Sequence, residues 1–297
     1  MNVLGIEKPL VLAPMGFVSG GALAAAVSAA GGLGLIGAGY GDAEWIREQF
    51  RLAGTARVGI GFITWSLAKR PELLDLALSH KPAAVMLSFG DPAPFAEKIR
   101  RAGAKLILQV QDLATARQAL AAKPDVLVAQ GTEAGGHGGM RSLFALLPAV
   151  RRLTEIPILA AGGISDAHGF AAARALGADG VLVGTRFYAS DEALAAPEAK
   201  QRIVAANGDS TLRTTVFDVV RGYDWKGITG RALRNAFTET WHGREQELRR
   251  ELSDEAERYR AAVQRRDFDT AVIFAGEGVD LVDSILPARD IVRRICG

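Results

Sequence analysis

The sequence predicts an α/β protein: a TIM (β/α)8 barrel with a small, mainly helical cap domain inserted near the C-terminus. Eight short apolar runs recur at intervals of roughly 20 to 30 residues with helical patterns between them, and repeated strand–helix units in that number favour a barrel over an open sheet. The segments that follow the runs are polar or glycine-rich, whereas those that precede them are plain joints such as Ala102-Gly103-Ala104 and Gly177-Ala178-Asp179. Past Arg202 the alternation stops, and aromatic and arginine residues crowd a stretch ending near Gly243.

In order, the predicted strands are Leu10 to Ala13, Leu33 to Ile36, Val58 to Phe62, Ala84 to Leu87, Lys105 to Val110, Val126 to Ala129, Ile158 to Ala160 and Gly180 to Val183. Between them fall helical patterns over Gly21 to Ala30, Pro71 to Ser79, Pro92 to Ala102, Leu113 to Ala121, Leu143 to Leu153 and Ala167 to Leu176. Pro9 to Gly41 carries no charged residue and has the length of a membrane span, but Pro14 and many glycines divide it into strand, loop, Ala-rich helix and strand. Gly32, Gly34 and Gly37 match the spacing of a dinucleotide fingerprint. That fingerprint must open a helix after a strand, and here it runs into a strand after a helix. Arg244 to Asp267 reads as one charged helix with Leu248, Leu252, Tyr259 and Val263 on its apolar face. Ala271 to Phe274, the Gly276-Glu277-Gly278 turn and a helix over Ile285 to Ile295 then return the chain to the barrel. The predicted division is 1–205 with 270–297 for the barrel and 206–269 for the cap.

Composition narrows the function classes. The chain has 297 residues, 49% hydrophobic and 23% charged, which is ordinary for a globular protein with a large core. A net charge of +2, with basic and acidic residues interleaved, gives no case for nucleic acid. The single cysteine, Cys296, excludes a disulfide scaffold and suits a reducing cytoplasm.

The richest chemical signal is Gln130 to Gly139, QGTEAGGHGG, where a lone His stands among five glycines between a strand and a helix. Glycine lets backbone approach a ligand closely, and His137 is the only side chain there that exchanges protons near neutral pH. A second signal follows the seventh and eighth strands. Gly162-Gly163 and Gly184-Thr185 each run toward a helix start, where exposed amides attract a phosphate. Ser165 is expected to cap the helix from Asp166, and Thr185 to offer a hydroxyl.

APMG near the start, QGTEAGGHGG, LAAGGISD and ADGVLVGTRF, together with RGYDWKGITGRALRNAFTETWHG, resemble in order and spacing the nitronate monooxygenase family, formerly 2-nitropropane dioxygenases. The resemblance covers nearly the whole chain. It implies a non-covalent FMN across the top of the barrel, with Pro14 and Met15 against the isoalloxazine. Gln109, Gln130 and Gly135 would meet its ring or ribityl side, and Gly162, Gly163, Gly184 and Thr185 its phosphate. His137 matches the family's catalytic base. The implied reaction is oxidation of alkyl nitronates by O2 to a carbonyl compound and nitrite. NADH-dependent quinone reductases and a bacterial enoyl reductase share the Glu-Ala-Gly-Gly-His run, so an NAD(P)H-dependent flavin reductase is the alternative, and a non-catalytic flavin-binding regulator a third reading.

One departure from the family pattern is Phe62, at the end of the third strand where a polar Asn is common; it implies a drier flavin edge. Glu133 is expected either to orient His137, to bind a backbone amide or to remain a solvated turn residue. His80, His168 and His242 stand alone without metal-ligand spacing, so no metal is predicted. Trp65, Phe89, Tyr223 and Trp225 are candidates for an apolar pocket wall, and Arg213, Arg221, Arg231 and Arg234 for a basic entrance. The expected partners are a small-molecule substrate and O2, with no nucleic acid or membrane and a homodimer left open.

Overall fold

A computed structural model describes residues 1–297. Its main sheet contains β1 (Leu10–Leu12), β2 (Leu35–Gly37), β3 (Gly59–Ile63), β4 (Ala84–Ser88), β5 (Lys105–Val110) and β6 (Val126–Gln130). A three-residue strand, β7 (Gly136–Gly138), comes next and lies outside that sheet; β8 (Ile158–Ala161) and β9 (Gly180–Val183) complete it. All eight strands of the main sheet are parallel, in the order β1-β9-β8-β6-β5-β4-β3-β2. A parallel bridge between Val11 and Leu33 links the two ends, so the sheet closes into a barrel.

The near-continuous apolar strands follow from burial on both faces. Alternate side chains serve two cores. Val11, Leu35, Met86, Ile107, Val128, Leu159 and Leu182 fill the barrel interior, while Leu10, Ile36, Ile60, Val85, Leu106, Leu127 and Val181 face the helices. Leu4, fully buried, joins the interior cluster from a short 3-10 turn at Asn2–Leu4. Asp42 and Asp112 accept from the amides of Trp45 and Thr115, capping helices Ala43–Ala53 and Leu113–Ala121. The last helix, Ala288–Cys296, packs on Gly21–Ala29 and Ala167–Ala175 and completes the outer helical ring.

Past β9 the structure holds more order than the sequence pattern indicated. β10 (Thr211–Thr214) and β11 (Thr229–Leu233) form an antiparallel pair, and β7 joins β11 to make a three-stranded sheet. The strands escape a periodicity reading because they are short and rich in Thr, Gly and Arg. The single charged helix expected over Arg244 to Asp267 is two, Glu245–Arg250 and Leu252–Gln264. Leu248 and Tyr259 are buried as expected, but Val263 is 49% exposed, the buried face of the second helix running through Glu255, Tyr259 and Ala262. Phe217, Phe237, Trp241, Leu248 and Tyr259 form the core of this cap. No helix is long and apolar enough to cross a membrane.

Candidate active site

A cavity of about 690 Å³ opens at the carboxyl ends of the barrel strands, beneath the cap. Pro14, Met15, Gln109, Gln130, Gly135, His137, Gly162, Gly163, Gly184 and Thr185 all line it. Close backbone approach places the first of these. A Cβ on Gly61 would stand 2.3 Å from the Pro14 ring, so only glycine on β3 lets Pro14 lie over the strand end.

The QGTEAGGHGG segment is not a free loop. β6 runs through Gln130, and Gly136–Gly138 is β7, whose His137 lies opposite Gly230 of β11. The Gln130 side-chain amide donates to the His137 carbonyl at 2.9 Å, and its oxygen accepts from Gln109 and Gln111 at 3.0 Å each. The cap supplies further ties: Arg213 donates to Thr132 Oγ1 and the Gly139 carbonyl, and Arg231 to the Thr132 carbonyl. Glu133 does not touch His137. Its carboxylate accepts from the Leu143 amide at 3.0 Å, at the start of helix Leu143–Arg151, so it binds a backbone amide.

His137 itself is almost enclosed. Its Nε2 lies 2.9 and 3.0 Å from the two Asp218 oxygens, with side-chain exposures of 9% and 5%. Trp225 stacks on the imidazole, ring centroids 3.5 Å apart. Burial lowers the His137 pKa below its ordinary value; the Asp218 hydrogen bond and charge oppose that, and the Arg221 and Arg213 charges reinforce it. The balance favours the neutral ring. Asp218 is the functional neighbour that sequence reasoning missed. The available signal was an acid set inside the apolar run Val216, Phe217, Val219, Val220, where only a partnered carboxylate is at home.

Also on the cavity wall, Gly162 and Gly163 adopt φ of +114° and +70°. The backbone amides of Gly163, Ile164 and Gly184 donate to no protein acceptor. Free amides on the cavity wall, beside the short helix Thr185–Tyr188, fit an anion such as a phosphate. Ser165 is not the helix cap: Asp166 accepts from the Gly169 amide at 2.8 Å, and Ser165 Oγ donates to the Gly278 carbonyl at 3.0 Å. Asp166 wins because its carboxylate reaches the third helical amide. Thr185 Oγ1 accepts from the Gly276 amide at 2.9 Å, tying the Gly276–Gly278 turn to that short helix.

A family model described as nitronate monooxygenase matches residues 1–57 and 64–297. The chain belongs to the nitronate monooxygenase family. It is an oxidoreductase by that membership, and a nitronate monooxygenase of Paraburkholderia phytofirmans is 33% identical to it, over 80% of this chain and 76% of the relative. The structure of FabK from Thermotoga maritima superposes with a TM-score of 0.85 at 32% identity, covering 99% of this chain and 93% of that one. Nitroalkane oxidase from Streptomyces ansochromogenes gives 0.79 at 28% identity, covering 97% and 94%.

Within this nitronate monooxygenase family member, Phe62 lines the cavity and is 4% exposed, so the end of β3 presents an apolar ring. Phe89, Tyr223 and Trp225 also line it, whereas Trp65 stands behind Trp225, edge-on at 5.4 Å. The basic entrance expected from four cap arginines does not form. Arg213 and Arg231 turn inward to carbonyls of the His137 loop, burial lowers the Arg213 pKa to about 10, and Arg234 faces Glu239 at 3.8 Å. Of the four, only Arg221 reaches the cavity; the exposed Arg260 is the other arginine lining it. His80, His168 and His242 are exposed and do not line the cavity.

Proposed function

We propose that this enzyme oxidises alkyl nitronates with O2 to a carbonyl compound and nitrite, using non-covalent FMN and His137 as the base. The observation that carries the reading is a buried imidazole, hydrogen-bonded to Asp218, that lines the same cavity as a set of backbone amides with no protein acceptor. Gly162, Gly163, Gly184 and Thr185 would hold the phosphate; Pro14, Met15, Gln109, Gln130 and Gly135 would line the ring and ribityl chain. FMN, when bound, accepts the substrate's electrons and returns them to O2.

The neutral His137 takes a proton from the carbon beside a nitro group, or, once protonated, holds the nitronate by charge. Phe62, Met86, Phe89 and Trp225 keep water from the reacting carbon and suit an alkyl substituent. A second reading, an NAD(P)H-dependent reductase of a quinone or enoyl thioester, draws support from Arg221 and Arg260, two cations able to meet an anionic carrier.

Anaerobic mixing of the flavin-loaded protein with an alkyl nitronate, and separately with NADH, discriminates the two. Loss of flavin absorbance on nitronate addition is the expected result. Reduction by NADH with the nitronate inert would transfer the assignment to the reductase. His137→Ala is expected to keep the yellow cofactor and lose about 10²- to 10⁴-fold in nitroalkane turnover.

A further inference from the structure

We propose that Asp218, contributed by the cap, is the positioning residue for His137: its carboxylate holds the imidazole as the Nε2–H tautomer and presents an unprotonated Nδ1 to the cavity. The inference rests on His137 being the base and adds how that base is prepared.

The hydrogen bond sets the proton's location. An ionised carboxylate only accepts, so a neutral imidazole whose Nε2 lies 2.9 and 3.0 Å from both Asp218 oxygens carries its proton on Nε2. Arg221 fixes the carboxylate in place. Its Nη2 donates to Asp218 Oδ1 at 2.8 Å, while its Nε donates to the Phe217 carbonyl at 2.7 Å, so the guanidinium is anchored on the same short helix, Val216–Arg221.

The remaining edges of the ring are assigned by packing. A Cβ built on Gly230 would lie 3.6 Å from Nε2 and 3.7 Å from Cδ2, so that edge faces the cap strand β11. Trp225 covers one face, and Phe274 approaches at 5.5 Å between centroids. Nδ1 has no hydrogen-bond partner in the protein and is not among the sealed polar atoms, so it opens on the cavity that His137 lines. The ionisable groups that face the ring are Asp218 and Arg221 from helix Val216–Arg221 and Arg213 from β10.

The arrangement divides the base between two parts of the chain. His137 belongs to the barrel's loop, Asp218 to the cap 81 residues later, and β7 pairing with β11 is the seam that brings them together. A carboxylate that fixes the tautomer of a histidine base and stabilises its protonated form is the division of labour seen in nucleophilic triads. Here the same logic serves a base that acts on carbon.

The test reads the tautomer directly. The chain has four histidines, so ¹⁵N-histidine labelling of the flavin-loaded protein gives a small spectrum in which His137→Gln identifies the signal of interest. The expected wild-type result is Nε2–H with Nδ1 unprotonated at neutral pH; an Nδ1–H ring overturns the proposal. In Asp218→Asn the lost charge is expected to move the His137 titration, and the acid limb of kcat/KM, to lower pH. The Asn amide, able to donate to Nε2, should cost about 10²- to 10⁴-fold in kcat, with Asp218→Glu recovering the limb. An unmoved titration in Asp218→Asn also overturns it, and if that variant fails to fold the wild-type tautomer still decides. Should the tautomer be as expected while nitronate and NADH are both inert, positioning stands and the proposed reaction falls; nitronate turnover with an Nδ1–H ring is the reverse.

Discussion

Trp225 lies flat against His137, with ring centroids 3.5 Å apart and planes inclined by 7°. The indole is itself held from the other side. Its Nε1 donates to the Tyr40 hydroxyl at 3.1 Å, and Trp65 and Phe89 meet it edge-on. Tyr40 stacks in turn on Tyr223 at 3.7 Å, so the cap and barrel contribute alternate rings to one wall.

An electron-rich face against the imidazole favours its protonated form during proton transfer, an interaction of about 0.5 to 2 kcal/mol. Trp225→Ala is expected to lower kcat/KM by roughly 2- to 30-fold with flavin content unchanged. Trp225→Phe should keep most of the activity. Steady-state kinetics on matched flavin-loaded samples check this, and equal losses in the two variants would rule out stacking as the cause.

Because burial lowers the His137 pKa, the folded protein binds fewer protons at this ring than the unfolded chain does once pH falls below about 6.5. Its contribution to stability is therefore complete above that pH and declines as pH drops toward the lowered folded value. Denaturant unfolding from pH 8 to 5 should show this slope in the wild type and a shallower one in His137→Gln. Over the same window kcat/KM should fall as pH drops, since His137 as the proposed base acts in its neutral form.

Gly162 has φ of +114°, and a Cβ there would stand 3.0 Å from the Ala134 backbone nitrogen. Gly162→Ala must shift the turn that aims the free amides, at a cost of about 1 to 3 kcal/mol. Flavin retained through gel filtration is expected to fall while the barrel stays folded. Full flavin occupancy in this variant would remove the turn from the phosphate site.

Glu133 at the start of helix Leu143–Arg151 makes the opposite prediction, one of stability without chemistry. Glu133→Ala leaves the Leu143 amide without an acceptor and should cost about 0.5 to 2 kcal/mol, as loss of a helix cap does. Glu133→Gln keeps an acceptor and should lose less. Thermal melts check the order, and the His137 tautomer should be the same in both.

Most of the barrel was legible because its signals are local. Lys105–Val110 and Gly180–Val183 carry their strand character in consecutive apolar residues, and Leu113–Ala121 begins at an Asp112 whose side chain reaches only three residues ahead. The cap was less legible for the converse reason. Thr211–Thr214 and Thr229–Leu233 are strands only because they pair with each other and with β7, and Arg213 and Arg231 turn inward because the loop's carbonyls need donors. An arginine read in isolation favours solvent; an arginine beside unsatisfied carbonyls does not.

The sequence alone determined the parallel barrel, the glycine-rich turns after its seventh and eighth strands, and His137 as the one proton-exchanging side chain in its glycine setting. Periodicity, turn chemistry and residue type are properties of neighbours along the chain, and they survive without coordinates. The tertiary structure decided which of 33 acidic residues meets His137, which face of the ring is covered and which nitrogen opens on the cavity. Those depend on a barrel loop and a cap helix 81 residues apart meeting at 2.9 Å, and no local pattern encodes a distance between segments that only folding brings together.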